Sequence, residues 1–284
     1  MRFVIVAHAG SETNDALAGA STALGLPALV LPPREALCTA EPGDVVLARL
    51  DVRTELDGVE PGIAELERLA AAGVTVLNPP SALAAAHDKH LTARLLRRAG
   101  VPHPRTWLLG DGMPSPAPEL PVVLKPRFGC WGRDVLRCET ADELEAGLAV
   151  LVGRPWFAEH GVLAQELVRP VGWDLRMLVA GGAVVGAARR FAARGEWRTN
   201  VALGGRSEPV APPPLARRLA LEAADALGGD LVGVDLLPRD GGFVVLEVNG
   251  AVDFTPTYAL GPGDVFQAAV HELVRAALTR RTAA

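Results

Sequence analysis

The sequence has 284 residues, enough for about two or three small subdomains that share hydrophobic cores. It is 49% apolar and 21% charged, as in soluble globular proteins, and its net charge of −5 gives no electrostatic case for binding nucleic acid or a membrane surface. No apolar run reaches the roughly 18 residues that a membrane-spanning helix needs. The three cysteines lack metal-binding spacing and their odd number fits a reducing compartment, so we expect a cytoplasmic protein.

The first 80 residues alternate between short apolar runs and helical patterns. Strands are predicted at residues 2–7, 28–31, 44–50 and 74–77, and helices at 13–24 and 61–72. The first apolar run is too short for a signal peptide and is better explained as a strand. This alternation predicts a small open α/β domain, and because GxGxxG is absent it is not a dinucleotide-binding fingerprint.

A helix is predicted from Ser81, which can cap its start, to Ala99. Lys89 lies inside this helix, where a lysine is most often a solvated surface residue. Residues 111–121 contain four prolines and are predicted to form a loop or linker.

A glycine-containing loop lies between two predicted strands in residues 121–138, PVVLKPRFGCWGRDVLRC. The first strand ends on Lys125, and the loop contains Gly129 and Gly132. Such glycines allow backbone N–H groups to approach an anion, most commonly a phosphate, and the lysine would add a point charge. A plain hairpin is the alternative, because GxxG alone is weak evidence. Cys130 has no base in the local sequence, so we interpret it as a small loop residue rather than a nucleophile.

The following residues predict helices and strands of an α+β region. Thr140 and Glu143 form a capping box that opens a helix to Val152. Further strands are predicted at 162–168, 174–180 and 183–190, and helices at 215–227 and 265–278. A polar loop with three arginines occupies 194–206, where a surface loop without function would have the same composition. The last helix carries an apolar stripe that predicts a core face, formed by Phe266, Val270, Leu273 and Ala277.

Residues 231–250, LVGVDLLPRDGGFVVLEVNG, predict a β-hairpin. Two runs rich in β-branched residues flank a Pro-Arg-Asp-Gly-Gly turn. A loop at 238–242 would pair Asp235 with Val245, and the strand alternation would continue from there.

This hairpin carries a candidate metal site. Glu247 would lie diagonally beyond Asp235 and share a face with Asn249, while Leu246 would point to the opposite face. Two carboxylates and an amide oxygen are hard ligands, which favours Mg²⁺ or Mn²⁺ over zinc. The alternative is a hairpin with solvated acidic side chains.

Taken in order, these segments resemble the ATP-grasp superfamily, and most closely its RimK-type glutamate ligases and LysX-type enzymes. The resemblance runs from about Leu77 to Asn249 and rests on seven motifs: NPPSALAAAHDKHLT, LKPRFGCWGR, QELV, GWDLR, RTNVALGG, VGVDLL and EVNG. It implies an ATP-grasp fold with α/β and α+β parts. These would be an N-terminal open α/β domain (1–80), a helical linker with a small lid subdomain (81–168), and a C-terminal α+β domain with the metal hairpin (169–284).

The resemblance also implies roles for individual residues. Lys89 and Lys125 match the lysines at the ATP phosphates, Asp174 a carboxylate near the ribose, and Arg176 the arginine that follows it. The segment Glu166–Val168 matches the hinge that reads adenine. The expected nucleotide contacts are Lys89, Lys125, Gly129, Gly132, Glu166, Leu167, Val168, Asp174, Arg198 and Asn200. Catalytic roles are expected for Arg198, Asn200 and Arg189. Two Mg²⁺ or Mn²⁺ ions are expected to bind to Asp235, Glu247 and Asn249.

The implied activity is an ADP-forming carboxylate–amine ligase that works through an acyl phosphate. It would add an amino acid to a carboxylate of a small molecule, cofactor precursor or carrier peptide. Glutamate is the leading candidate for this amino acid. Arginines in the site loops suggest an anionic substrate, with solvated arginines as the alternative. A non-catalytic ATP-binding module and an ATP-dependent kinase are competing functions. The sequence leaves the identity of the acceptor open, since the segment GAVDFTPTY after EVNG departs from the RimK pattern. It also leaves the oligomeric state open, and a homo-oligomer is one of the alternatives.

Overall fold

The computed structural model describes residues 1–8, 10–110 and 117–283, and these residues form three β-sheets. The predicted linker at 111–121 thus lies largely outside the described residues. In the described ranges no helix combines the length and the apolar character needed to cross a bilayer.

The first sheet is parallel and confirms the predicted α/β arrangement. Its order is β2-β1-β3-β4, from β1 (Phe3–Val6), β2 (Ala28–Leu31), β3 (Val45–Ala48) and β4 (Thr75–Leu77). The accompanying helices are α1 (Glu12–Ala23), α2 (Pro33–Thr39) and α3 (Ile63–Ala71). The short α2 was not predicted, because seven residues carry too little periodicity.

The predicted single helix from Ser81 to Ala99 is wrong. The chain instead forms α4 (Pro80–His87) and α5 (Lys89–Arg98), which are separated at Asp88. The Asp88 backbone is extended there, and its carboxylate accepts hydrogen bonds from the N–H groups of His90 and Leu91. Lys89 is therefore the first residue of a new helix rather than a residue inside a long one.

The second sheet is antiparallel, with the order β5-β8-β6-β7. Its strands are β5 (Thr106–Leu109), β6 (Val122–Pro126), β7 (Leu136–Cys138) and β8 (Val162–Glu166). Beside it lie α6 (Ala141–Val152) and the short α7 (Phe157–His160). The predicted capping box at Thr140 and Glu143 is confirmed, with both of its hydrogen bonds present.

The third sheet has the order β11-β10-β9-β12-β13, with all neighbours antiparallel. Its strands are β9 (Trp173–Ala180), β10 (Ala183–Phe191), β11 (Arg206–Pro209), β12 (Leu231–Arg239) and β13 (Gly242–Asn249). One face packs on α5 and on α8 (Pro214–Leu227). The other packs in part on α9 (Val265–Ala283), whose predicted core stripe is confirmed as buried.

A loop of the N-terminal part, residues 52–59, docks on the second sheet, and we call this loop the strap. Its residues Val52 and Leu56 are buried in the same core as Val122 and Leu124 of the second sheet. The strap also accepts a hydrogen bond at the Thr54 carbonyl oxygen from Arg133, at 2.8 Å. The second sheet is thereby packed against the first part of the chain.

Candidate active site

Two adjoining cavities lie at the third sheet, and the smaller one lies between this sheet and the second. The smaller, of about 140 Å³, brings together twelve predicted site residues, which are Lys89, Lys125, Gly129, Gly132, Glu166, Leu167, Val168, Asp174, Arg198, Asn200, Asp235 and Glu247. The larger, of about 740 Å³, is lined by Asn249 and opens toward the start of α1. Predicted nucleotide and metal residues from distant parts of the sequence therefore surround one space.

The hairpin differs from its predicted register. β12 and β13 continue to a tight turn at Asp240 and Gly241, which both have positive φ, at 47° and 77°. A bulge after Asp235 then sets this residue opposite Glu247, not Val245. The bulge adds one residue on β13, so the alternation changes and Leu246 lines the smaller cavity instead of pointing away from it.

Asp235 is buried and held by two arginines. Arg176 donates to both of its oxygens at 2.7 Å, and Arg190 Nη2 lies 2.9 Å from Oδ2. Burial alone would raise the pKa of Asp235, but the two guanidinium groups outweigh it and hold that pKa well below its usual range. Asp235 is therefore a fixed negative charge at the floor of the site.

Asp174, predicted near the ribose, has both oxygens engaged within the protein. Arg190 donates to Oδ1 at 2.8 Å and to Oδ2 at 2.5 Å, and the Thr199 hydroxyl donates to Oδ2 at 2.5 Å. The side chain is 1% exposed. Asp174 thus anchors the loop that carries Thr199 and Asn200 onto the sheet. Arg190 links Asp174 to Asp235.

Arg189, predicted to be catalytic, is not brought to the site. Neighbouring residues on a strand point to opposite faces, and Arg189 pairs with Leu175, which packs on the α8 side of the sheet. Its guanidinium lies 4.5 Å from the Trp173 ring centroid, and it lines neither cavity. Arg190, one residue later, occupies the site face that we had expected Arg189 to occupy.

Lys125 is buried with its ammonium group in the smaller cavity. It donates to Gln165 Oε1 at 2.7 Å, and Gln165 Nε2 in turn donates to the Thr106 hydroxyl at 3.0 Å. Burial lowers the pKa of Lys125 to about 8, although the Glu247 carboxylate opposes this shift. The role of Gln165 in orienting Lys125 was not predicted from the sequence. The one indication in the sequence is that Gln165 directly precedes the predicted hinge.

Lys89 forms an ion pair with Glu247. Its ammonium donates to the Gly129 carbonyl at 2.7 Å and lies 3.2 Å from Glu247 Oε2. The chain contains 26 arginines and only two lysines, and both lysines are at this site. The scarcity of lysine in an arginine-rich chain therefore points to these two positions, independently of the sequence motifs.

The lid loop, residues 127–135, is held from two sides. Arg127 forms a double hydrogen bond with Asp88, at 2.9 and 2.6 Å. Arg198 donates to the Gly132 carbonyl at 2.8 Å. Gly132 has φ of 71°, and a Cβ there would lie 3.2 Å from Asn200 Oδ1, so this position requires glycine. The lid loop and the Arg198–Asn200 segment thus close together over the smaller cavity.

The hinge offers one backbone donor to a bound base. The N–H groups of Glu166 and Leu167 already donate to the carbonyl oxygens of Arg105 and Pro121. The Glu166 carboxylate pairs with Arg239 at 2.7 Å. Val168 lines the smaller cavity, and within the described part of the chain its N–H has no such partner.

The residues around Glu247 fit a hard divalent cation. Asp235 and Glu247 oppose each other across two strands, and Asn249 follows on the same strand. The described residues contain no cluster of three His, Cys, Asp or Glu side chains that could hold a metal by itself. Mg²⁺, however, is commonly held by one or two carboxylates together with substrate phosphates and water. The oxygen-only donor set beside the lysines matches that pattern.

The two cavities share part of their walls. Both are lined by Cys130, Trp131, Arg190, Asn200 and Glu247. Trp131 is 55% exposed and has φ of 54°, a backbone conformation that few non-glycine residues adopt. A molecule in the smaller cavity and another in the larger one would meet at these five residues.

Comparison with known proteins identifies the family. The profile of a RimK-like ATP-grasp domain matches residues 86–259. The probable alpha-L-glutamate ligase of Thioalkalivibrio sulfidiphilus (strain HL-EbGR7) is 35% identical over 196 residues, which are 67% of this chain and 64% of that protein. This chain therefore spans less than two thirds of that relative's length.

Two solved structures share the fold. The D-alanine–D-alanine ligase of Bacillus anthracis complexed with ATP has a TM-score of 0.69 at 17% identity, covering 100% of this chain and 99% of that one. The ATP-grasp ligase PsnB, complexed with minimal precursor, Mg and ADP, has a TM-score of 0.67 at 20% identity, covering 97% of both chains. The profile match over most of the chain and these shared folds agree with the predicted ATP-grasp architecture. The chain belongs to the RimK-like ATP-grasp family.

Proposed function

We propose that the protein is an ATP-dependent, ADP-forming ligase that joins the amine of an amino acid to a carboxylate of a small molecule or peptide. Glutamate is the leading candidate for the amino acid. One observation carries this proposal. A small cavity with two lysines adjoins a larger one, and Glu247 and Asn200 line both. A site that only binds ATP needs no second cavity at the phosphate end.

The chemistry follows from this arrangement. A carboxylate oxygen of the acceptor attacks the γ-phosphorus of ATP, which releases ADP and leaves an acyl phosphate. The neutral amine then attacks the acyl carbon, phosphate leaves, and the nitrogen releases a proton as the amide forms. The barrier to the first step is lowered mainly by positioning and by charge neutralisation.

We assign these tasks to residues of this chain. Lys89 and Lys125 neutralise the phosphates, Arg198 and Asn200 hold the transferring group, and Val168 binds the base. Mg²⁺ held by Asp235, Glu247 and Asn249 would neutralise further phosphate charge. The lid loop excludes water from a hydrolysable acyl phosphate. We further propose three working parts: residues 1–80, a lid at 81–168, and the metal-binding part at 169–284.

The names of the related proteins support the substrate class. The T. sulfidiphilus relative is a probable alpha-L-glutamate ligase, and PsnB was captured with a precursor. We therefore place an amino acid in the amine role and a peptide or small-molecule carboxylate in the acceptor role.

The test is a screen of single amino acids, and of amino acids combined with short peptides, for release of ADP and phosphate from ATP and Mg²⁺. We expect release that requires both an amine and a carboxylate, and a hydroxamate when hydroxylamine replaces the amine. Lys125→Met protein, prepared in parallel, controls for contaminating ATPases. AMP and pyrophosphate as products would exclude the acyl-phosphate route, and a phosphorylated product that forms without any amine would indicate a kinase.

A further inference from the structure

The arginines that line the larger cavity are each paired with a carboxylate of the protein. Arg176 pairs with Asp235, and Arg190 with Asp174 and Asp235, all at hydrogen-bonding distance. Arg206 forms an ion pair with Glu208. Within the described lining of this cavity, every arginine therefore has a carboxylate partner.

The acidic groups of this cavity, by contrast, are not all paired with a lysine or an arginine. Glu247 pairs with Lys89 at 3.2 Å, and Asp253 with Arg49 at 3.1 Å. Asp51 lines the same cavity and, among the described residues, has no lysine or arginine within ion-pair distance. Its side chain is 43% exposed, and its Oδ1 accepts only the N–H of the next residue, Val52. A cationic group on the substrate is the complement that this carboxylate lacks.

The imidazole of His87 lies beside Asp51. Its Nε2 is 2.8 Å from the Leu50 carbonyl oxygen, which can only accept, so Nε2 carries the hydrogen. Nδ1 is then an acceptor, and it lies 3.9 Å from Asp51 Oδ1. The ring is fixed from behind, since a Cβ at Gly250 would lie 3.2 Å from Nε2.

Burial also keeps this imidazole neutral. It lowers the pKa of His87, and the nearby Lys89 and Arg49 lower it further, while Asp51 and the Leu50 carbonyl act in the opposite direction. Because the ring is neutral, its Nδ1 lone pair remains available to a donor from the cavity.

We propose that His87 Nδ1 and the Asp51 carboxylate form the binding subsite for the amino group of the amino-acid substrate, an inference that rests on the proposed ligase function. Two acceptors 3.9 Å apart can each accept a hydrogen bond of ordinary length from a single ammonium group. The Asp51 charge selects a cation, and the buried imidazole fixes its direction. Cys130 lines both cavities, so the larger cavity, which contains this subsite, adjoins the smaller cavity with its two lysines.

Binding can be measured without turnover. L-glutamate, L-alanine and L-leucine, each with its N-acetyl derivative, are titrated by calorimetry into protein saturated with a non-hydrolysable ATP analogue and Mg²⁺. We expect at least one free amino acid to bind, and its N-acetyl derivative, which cannot carry an ammonium group, to bind at least tenfold more weakly. Asp51→Asn should weaken binding of the free amino acid about tenfold or more and leave affinity for the ATP analogue unchanged.

A matched control is Glu55→Gln, which removes the same charge from the same loop at an exposed position outside both cavities. It should bind the amino acid like wild type. Equal binding of free and N-acetylated forms, wild-type binding by Asp51→Asn, or no binding of any free amino acid to wild-type protein would each overturn the subsite. If amino acids bind as expected but no condition releases ADP, the ligase proposal fails while the subsite stands.

Discussion

Asp235 and Glu247 lie directly opposite each other on β12 and β13, yet their surroundings differ. The Asp235 side chain is 2% exposed and paired with two arginines, whereas that of Glu247 is 20% exposed and faces Lys89. The two carboxylates should therefore respond differently to loss of charge.

Glu247→Gln should reduce the rate of ADP release about a hundredfold to a thousandfold, because a carboxylate that acts on the phosphates through a cation is lost. The fold should be little affected, since the side chain is partly solvated. The measurement is ADP release against Mg²⁺ concentration, with thermal melts as a control. Turnover close to wild type at limiting Mg²⁺ would contradict the metal assignment.

Asp235→Asn should lose activity to a similar extent and also destabilise the protein. Removing one partner of a buried ion pair costs about 3–5 kcal/mol, because Arg176 and Arg190 would keep uncompensated charge. The double variant Asp235→Asn/Glu247→Gln should lose less activity than the two single losses combined, since both carboxylates serve one cluster. Denaturant unfolding of the three variants separates the two effects, and an unchanged stability of Asp235→Asn would contradict the ion-pair argument.

Lys125→Met should abolish ATP use and yet stabilise the fold at pH 7. Folding lowers the pKa of Lys125 from 10.5 to about 8, so the protonated form is disfavoured in the folded state by about 3 kcal/mol at neutral pH. Methionine removes that penalty, which exceeds the cost of leaving the Gln165 oxygen without its donor. Between pH 8 and 10.5 the unfolded chain binds the proton and the folded chain does not, so wild-type stability should rise with pH and the advantage of Lys125→Met should shrink.

Urea unfolding of both proteins at pH 7, 8, 9 and 10 measures this difference. Gln165→Leu is the contrasting variant, because it leaves Lys125 charged but removes its acceptor. It should be less stable than wild type by about 1–3 kcal/mol. A stability difference between Lys125→Met and wild type that stays constant over this pH range would contradict the burial argument.

Adjacent arginines on β10 offer a matched pair. Arg190→Lys should destabilise the protein by about 2–4 kcal/mol and greatly reduce activity, because one ammonium cannot replace a guanidinium that serves both Asp174 and Asp235. Arg189→Lys should change stability by less than about 1 kcal/mol and keep the affinity for ATP, since Arg189 lies on the other face of the sheet. Thermal melts and ATP titrations test both, and the reverse order of effects would mean that Arg189 is the site residue.

The strap should keep the lid in place. Leu56 is 1% exposed and lies in the core of the second sheet. Leu56→Ala should cost about 2–5 kcal/mol and expose the lid loop, which hydrogen exchange of residues 127–135 would report as faster exchange. Leu69→Ala is the control, because Leu69 is equally buried in a core that excludes the second sheet. Equal acceleration in both variants would mean that the strap has no specific hold on the lid.

Much of this molecule could be predicted from local sequence. The four strands of the first sheet, the capping box at Thr140 and the α9 stripe all follow from periodicity and capping, which act over a few residues. The order of the ATP-grasp motifs also predicted which side chains would share a cavity, because those residue types carry the chemistry whatever their exact neighbours.

The tertiary structure decided the rest. The bulge beside Asp235, the break at Asp88 and the choice of Arg190 over Arg189 depend on partners tens of residues away, and a one-residue change of register exchanges the two faces of a strand. The same holds for the strap and for the proximity of His87 to Asp51, which only packing brings together. Local sequence sets which groups are available, but long-range packing and charge pairing determine which of them face the site.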